Sequence, residues 1–520
     1  MTAPRRARWR GAAGAALAAL LVLTGCTAGP DPGPQVVRGD DGGGETGGSP
    51  TLPELSAPKN DLNYGSCGDE LESYDAPTPK GLELACADFD SPIDPASPNG
   101  STITVGVVRA TLPDTPDDAA PLVLTTGDDL PSSRLLLSLN VDAVRELLVR
   151  HPIVAVDRRG IGLSSPIDCL TKSQRSVIAE DGAGDGRKLN DRVMALAQAA
   201  RGAADMCNDT LSPDQLHYDA VAAAADLEQL RSRWSVDRIG IWSVGSGSSV
   251  ALAYAAAHPK QLGRLILDSP VGYNVAAPQA ASARAEGLQN SLAAFAARCS
   301  AVGCALGGGD PTAALQRVIS AAGRGSLPGL SDTAVLSAVT TALALGDGSP
   351  DALKKLGDAL VDADRGQTAA LRELATQAQP LRISDGQLVS RCNDIVGKPG
   401  LDSLPGLASD WEQDAPMTAV TQALDLGRCD GWGAAESGAA PTSFLVDPLI
   451  LINTNDPVNG AKAVETLSPL LVAAGADPAA VGWDGIGLSV MRSSDCAAQV
   501  ADEYLGDRPL SGQKQRACPS

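Results

Sequence analysis

The chain has 520 residues, and its 62 acidic against 41 Lys and Arg side chains give a net charge of −21. That length accommodates a large core and a second domain, and that charge argues against nucleic acid and against a basic membrane-binding face. The plain reading of the acidity is a solvated surface.

The N-terminus reads as an export signal. Arg5, Arg6, Arg8 and Arg10 form its positive region, and Gly11 to Leu23 form an apolar run too short for a stable span. Leu23-Thr24-Gly25-Cys26 then matches a bacterial lipobox. The expectation is a signal over residues 1–25, a lipid on Cys26, and a membrane partnership through that lipid on the extracytoplasmic face. An ordinary secretory signal with a chance cysteine is the alternative. Residues 26–66 follow as a linker, rich in Gly, Pro and Asp up to about Asn60 and too polar to bury a core.

Setting Cys26 aside leaves ten of the 11 cysteines, an even number in an exported chain, which implies disulfides. The sequence leaves connectivity open. Order along the chain suggests neighbours: Cys67–Cys86, Cys169–Cys207, Cys299–Cys304, Cys392–Cys429 and Cys496–Cys518. No Cys-x-x-Cys pair or histidine cluster accompanies them, so no metal is expected, and no cofactor motif is complete.

The first globular part spans 67–275. Ile103 to Val108, Leu122 to Leu124 and Ile153 to Val156 are short apolar runs between turn signals, hence strands. Asp157-Arg158-Arg159-Gly160-Ile161-Gly162-Leu163-Ser164 follows the third as a turn. Its Gly-x-Gly is too little to argue for a phosphate cradle. Tyr218 to Trp234 reads as an amphipathic helix carrying Asp226. Ile239 to Trp242 reads as a buried strand, followed by a tight run of small residues, an apolar helix and a strand at Leu265 to Leu267. Strand, sharp turn, helix, strand is the setting of a nucleophile elbow. Ser243 and Gly247 supply the small residues two before and two after the attacking position, and that position is Gly245, which has no side chain.

Residues 276–440 are Ala- and Leu-rich with helical spacing, as in Leu288-Leu292-Phe295 and Leu353-Leu356-Leu360, broken at Gly307-Gly308-Gly309 and Pro328-Gly329. They read as a helical cap. Residues 441–520 return to the sheet, with a strand at Leu449 to Ile452 followed by Asn453-Thr454-Asn455-Asp456-Pro457-Val458.

These motifs, in this order, resemble the α/β-hydrolase family of secreted tripeptidyl and prolyl aminopeptidases. The elbow of that family reads Gly-Gly-Ser-Tyr-Gly-Thr, and the likeness continues without a gap through Tyr254, His258-Pro259 and Leu265-Ile266-Leu267-Asp268. The resemblance implies an α/β-hydrolase fold, with a mostly parallel central sheet and an inserted helical cap. It places the serine at Gly245, the triad acid at Asp456 and the histidine at Leu488, within Trp483-Asp484-Gly485-Ile486-Gly487-Leu488. It also implies that the 157–164 turn is structural and that an oxyanion loop follows the strand at Leu122, where Gly127 alone remains of the family's glycines and Asp128 and Asp129 stand among their replacements.

Acyl transfer on this fold needs Ser, Asp and His in that chain order. The three histidines, His151, His217 and His258, all precede Asp456. Ser246 is the alternative nucleophile, and its backbone N–H is an oxyanion donor, but it would put the β-branched Val244 where a small residue is needed. Asp456 has a plainer role as a cap on the turn it opens, and Asp128 and Asp129 are expected to face solvent in a relaxed loop. The resulting expectation is a lipid-anchored pseudohydrolase whose cleft binds a peptide, a small ligand or an envelope partner. An active serine hydrolase with displaced residues is the rival, and a structural envelope protein with a filled cleft is a third reading.

Overall fold

Ile239, Ile241, Trp242 and Val244 are all at most 2% exposed because the strand that carries them lies mid-sheet with both faces covered. Burying each such side chain contributes about 1.5–3 kcal/mol, so this strand anchors whatever follows it. The computed structural model describes residues 51–520 apart from 185, 434–436 and 511. The expected signal, Cys26 and the linker as far as residue 50 lie outside the described residues.

The described residues form one sheet of nine strands: β1 (Glu83–Pro92), β2 (Thr102–Thr111), β3 (Leu122–Thr125), β4 (Ile153–Val156), β5 (Ile239–Val244), β6 (Leu262–Asp268), β7 (Leu449–Asn455), β8 (Ala479–Ile486) and β9 (Gln515–Cys518). Their order is β1-β2-β4-β3-β5-β6-β7-β8-β9. The β1–β2 and β2–β4 pairs are antiparallel, and every later pair is parallel. β3, β4, β5 and β6 begin or end within a residue or two of the expected runs. β1 and β9 carry no apolar run in the sequence: β1 buries Phe89 and Ser91 on one face, while Cys86 shares the other with the exposed Asp88 and Asp90.

The segment between β6 and β7 is helical, including Ala277–Ala301, Asp332–Leu345, Pro350–Asp364 and Asp385–Asp394. Serines start three of these helices: Ser331, Ser349 and Ser384 accept the N–H groups of Ala334, Ala352 and Gln387. Leu292, Phe295, Val339, Leu356 and Leu360 belong to an apolar cluster of cap residues that Ile486 of β8 joins. Disulfides join Cys67 to Cys86, Cys169 to Cys207, Cys299 to Cys304, Cys392 to Cys429 and Cys496 to Cys518.

The described end of the expected linker, 51–66, is docked instead of free. Leu52 donates its N–H to Asp507, Lys59 donates to Trp234, and Asp61 pairs with Arg109 at 2.7 Å. Leu55 lies against Gly240 and Gly263, where a Cβ would come within 3.0 and 2.6 Å of its methyl carbons. The Gly- and Asp-rich composition stops near residue 50, and Leu52 and Leu55 then supply apolar surface that can be buried.

Candidate functional site

The turn that follows β5 carries no side chain at residue 245. β5 ends at Val244, Gly245 turns with φ +57°, and a helix runs from Gly247 to Ala257. Gly247 is packed so closely that a Cβ there would sit 2.1 Å from the Thr125 carbonyl oxygen. These are the strained, crowded features of a nucleophile elbow, yet nothing projects from residue 245.

The space above Gly245 is filled by Asp129. A Cβ at 245 would fall 2.1 Å from Asp129 Oδ2. That same oxygen accepts the backbone N–H of Ser246 at 2.8 Å and the side-chain amide of Asn459 at 2.7 Å. The residue after the nucleophile supplies one oxyanion donor in this fold and the loop after β3 supplies the other. Here the Ser246 N–H holds an internal carboxylate, while the Asp128 and Asp129 N–H groups donate to Ser246 Oγ at 3.0 and 3.1 Å. The expectation that Asp128 and Asp129 face solvent is therefore corrected: they are 7% and 2% exposed. Fixed donors stabilise them inward, and Arg391 stands 3.1 Å from Asp128. Burial opposes the Asp128 charge, but Arg391 and Arg158 outweigh it and hold the carboxyl below its usual range.

Ser246 does not stand free to attack. Besides accepting two N–H groups, its hydroxyl donates to the Thr126 carbonyl at 3.1 Å. Gly127, at φ +62°, allows the loop this close: a Cβ there would lie 2.5 Å from the Ser246 carbonyl carbon. No histidine is near to serve as base. His258 ends the elbow helix beside Tyr254, and His151 bonds the Ala120 carbonyl.

Asp456 is 1% exposed. Its Oδ1 accepts the Val458 N–H at 2.7 Å, and its Oδ2 has no partner among the described residues. Burial, with a further push from Asp129 that exceeds the pull of Arg284, raises its pKa to about 8. It is a neutral acid capping a turn. Leu488, fully buried, belongs to an apolar cluster that includes Val244 and Val458. The segment after it is pinned by Asp268, which accepts Ser489 Oγ at 2.6 Å and the N–H groups of Val490 and Met491.

The 157–164 turn is filled by its own side chains. Asp157 accepts the Ser133 N–H at 2.9 Å, the Ser133 hydroxyl at 2.6 Å and the Leu163 N–H at 2.8 Å. A Cβ on Gly162 would lie 2.2 Å from this carboxylate. Arg159 and Asp226 form a buried pair through two bonds of 2.8 and 2.5 Å. No room is left there for a phosphate.

A cleft of about 520 Å³ opens over the elbow, between sheet and cap. Asp129, Ser246 and Asn459 form part of its floor, and Arg284, Arg391 and Asp394 reach it from cap helices. Seven acidic and three basic side chains line it, so its field favours a cation. Asp394 is raised to about 6 by burial, against the opposing charge of Arg158. The helix Asp385–Asp394 holds the cleft wall: Gln387 donates to the Asp128 carbonyl at 3.0 Å, and Asp385 accepts the Cys169 and Leu170 N–H groups at 2.9 Å. Asn459 and Arg391 escape the sequence reading. Asn459 lies just beyond the Asp456 motif, and its signal was its place in the same loop.

The alpha/beta hydrolase fold family matches residues 136–331. Serine protease Hip1 of Mycobacterium tuberculosis and of Mycobacterium bovis is 24% identical over 464 residues, covering 82% of this chain and 86% of the relative. Among solved structures, a proline iminopeptidase of Mycobacterium smegmatis is 13% identical with a TM-score of 0.38, covering 81% of this chain and 97% of its own. Esterase E22 is 12% identical with the same TM-score, covering 82% and 100%. With its sheet order, the family match over 136–331 and the likeness to Hip1, the chain has an α/β-hydrolase fold and is distantly similar to a serine protease.

Proposed function

We propose that this protein is a pseudohydrolase: a binding protein that uses the cleft of a hydrolase whose proton-transfer and acyl-bonding groups are gone. The observation that carries the reading is the Asp129 carboxylate seated on the Ser246 N–H, where an oxyanion would have to sit. A fixed negative charge there repels the charge that develops in acyl transfer. Gly245 offers no nucleophile and Leu488 no base, while the cleft above them stays open. The ligand class this supports is a peptide or small molecule bearing a cationic group, or an envelope partner presenting one. Lipid attachment at Cys26 on the extracytoplasmic face belongs to the same proposal and rests on the Leu23–Cys26 motif. Loss of the membrane fraction in Cys26→Ala is its expected consequence.

The similarity to a serine protease favours the rival, an active hydrolase with displaced residues. A fluorophosphonate probe on the purified protein decides between them. No labelling is expected. Labelling that disappears in Ser246→Ala overturns the proposal.

A further inference from the structure

Beside the cleft, between the cap and the core residues Asp181, Pro457 and Val458, lies a smaller cavity of about 70 Å³, several times the ~15 Å³ that one water needs. Arg284 and Gln422 line both spaces. Four arginines face the smaller one, Arg284, Arg382, Arg391 and Arg428, against two carboxylates, Asp181 and Asp425. Those carboxylates are already committed. Arg428 stands 2.7 Å from Asp181 and 2.9 Å from Asp425, and Arg391 reaches Asp425 at 3.5 Å.

The other two arginines have no carboxylate partner among the described residues. Arg284 donates Nε–H to the Val458 carbonyl at 2.7 Å. Arg382 has both Nε and Nη1 sealed from solvent with no partner among the described residues. A buried guanidinium left this way destabilises the fold unless something compensates it. Asp129 and Asp456 attract it through space, but neither bonds it: Asp129 Oδ2 is taken by Ser246 and Asn459, and Asp456 Oδ1 by Val458. Burial and then repulsion from Arg284 push the Arg382 pKa down to about 10.

We infer that this smaller cavity is an oxyanion-binding site in which Arg284 and Arg382 together hold a carboxylate or phosphate group. Guanidinium groups present the planar donor forks that such anions match. The anion comes either free from solution or as the acidic end of a molecule whose remainder lies in the cleft. In the second case the acidic cleft and the basic cavity would select a ligand charged oppositely at its two ends. The site stands independently of whether the cleft hydrolyses anything.

The test is thermal unfolding of the purified protein at constant ionic strength, in chloride, with inorganic phosphate, with trialanine, and with trialanine amide. Phosphate or trialanine is expected to raise Tm in a saturable way. Stabilisation by phosphate identifies a free-anion site. Stabilisation by trialanine but by neither the amide nor phosphate identifies the acidic end of a cleft ligand. Arg382→Met should abolish the shift and, in chloride, leave Tm unchanged or higher, because it removes an uncompensated cation. A merely structural arginine would lower it. Arg284→Met, on a different helix, should also abolish the shift and serves if Arg382→Met does not fold. No Tm response to either anion, or a response that persists in both variants, overturns the assignment.

Discussion

The carboxylate of Asp129 accepts the backbone N–H of Ser246 at 2.8 Å, and in doing so occupies the position a side chain on residue 245 would need. A side chain at residue 245 and the present seat of Asp129 thus exclude each other. Restoring the serine alone runs into a filled space. Gly245→Ser is expected to show no hydrolysis of peptide or ester substrates and to lose about 1–3 kcal/mol of stability, from overpacking and the positive φ. Gly245→Ser with Leu488→His should remain inactive until Asp129→Gly is added. Strong activity from the single change, measured by substrate turnover, would show that the base has been misplaced.

Removing Asp129 tests the same relationship from the other side. Asp129→Ala leaves the Ser246 N–H and the Asn459 amide without their acceptor, a cost of about 1–3 kcal/mol for each buried group left unsatisfied. Chemical denaturation should show a lowered midpoint. Formate should restore part of the loss in the variant and do less in the parent, where the acceptor is already present.

Asp456 gives a pH signature with a definite sign. Its folded pKa of about 8 lies above the ordinary 3.8, so the native state binds a proton that the unfolded state releases. Its contribution is therefore fully present below about pH 4 and is lost as pH rises through 8, at up to about 1.4 kcal/mol per pH unit. Asp456→Asn should flatten that decline and be more stable than the parent at pH 8.5, measured by urea unfolding at several pH values. An unchanged slope would show that Asp456 is ionised in the native protein.

The Arg159–Asp226 pair supports the turn under the cleft. Asp226→Ala leaves Arg159, fully buried, without its carboxylate, and breaking such a pair costs about 3–5 kcal/mol. Replacing both residues with apolar ones should cost less than the single change, which a double-mutant comparison by denaturation would read.

The central strands were legible because both faces of β3, β4, β5 and β6 are buried, so each reads as an unbroken apolar run. β1 was not, because its outer face is Asp88 and Asp90. The sharp turn at Gly245 after β5 was legible in the run of small residues that follows the strand. The inward turn of Asp128 and Asp129 was not, because a carboxylate in a loop carries no sign of which way it points. Only the donors around it, the Ser246 N–H, Asn459 and Arg391, decide that, and they come from segments more than a hundred residues away. The linker's end was misjudged at 51–66 for a similar reason: Leu55 finds its partners, Gly240 and Gly263, only in the folded sheet.

Leu55 touches the second residue of β5 and of β6, at the ends where those strands begin. The cleft lies beyond the opposite ends, past the last residue of β5 four positions further on, about 13 Å at strand rise. The polypeptide thus enters the domain at one pole and offers its opening at the other. A ligand entering that opening therefore never meets the segment around Leu55, and changes in the one leave the other's contacts untouched.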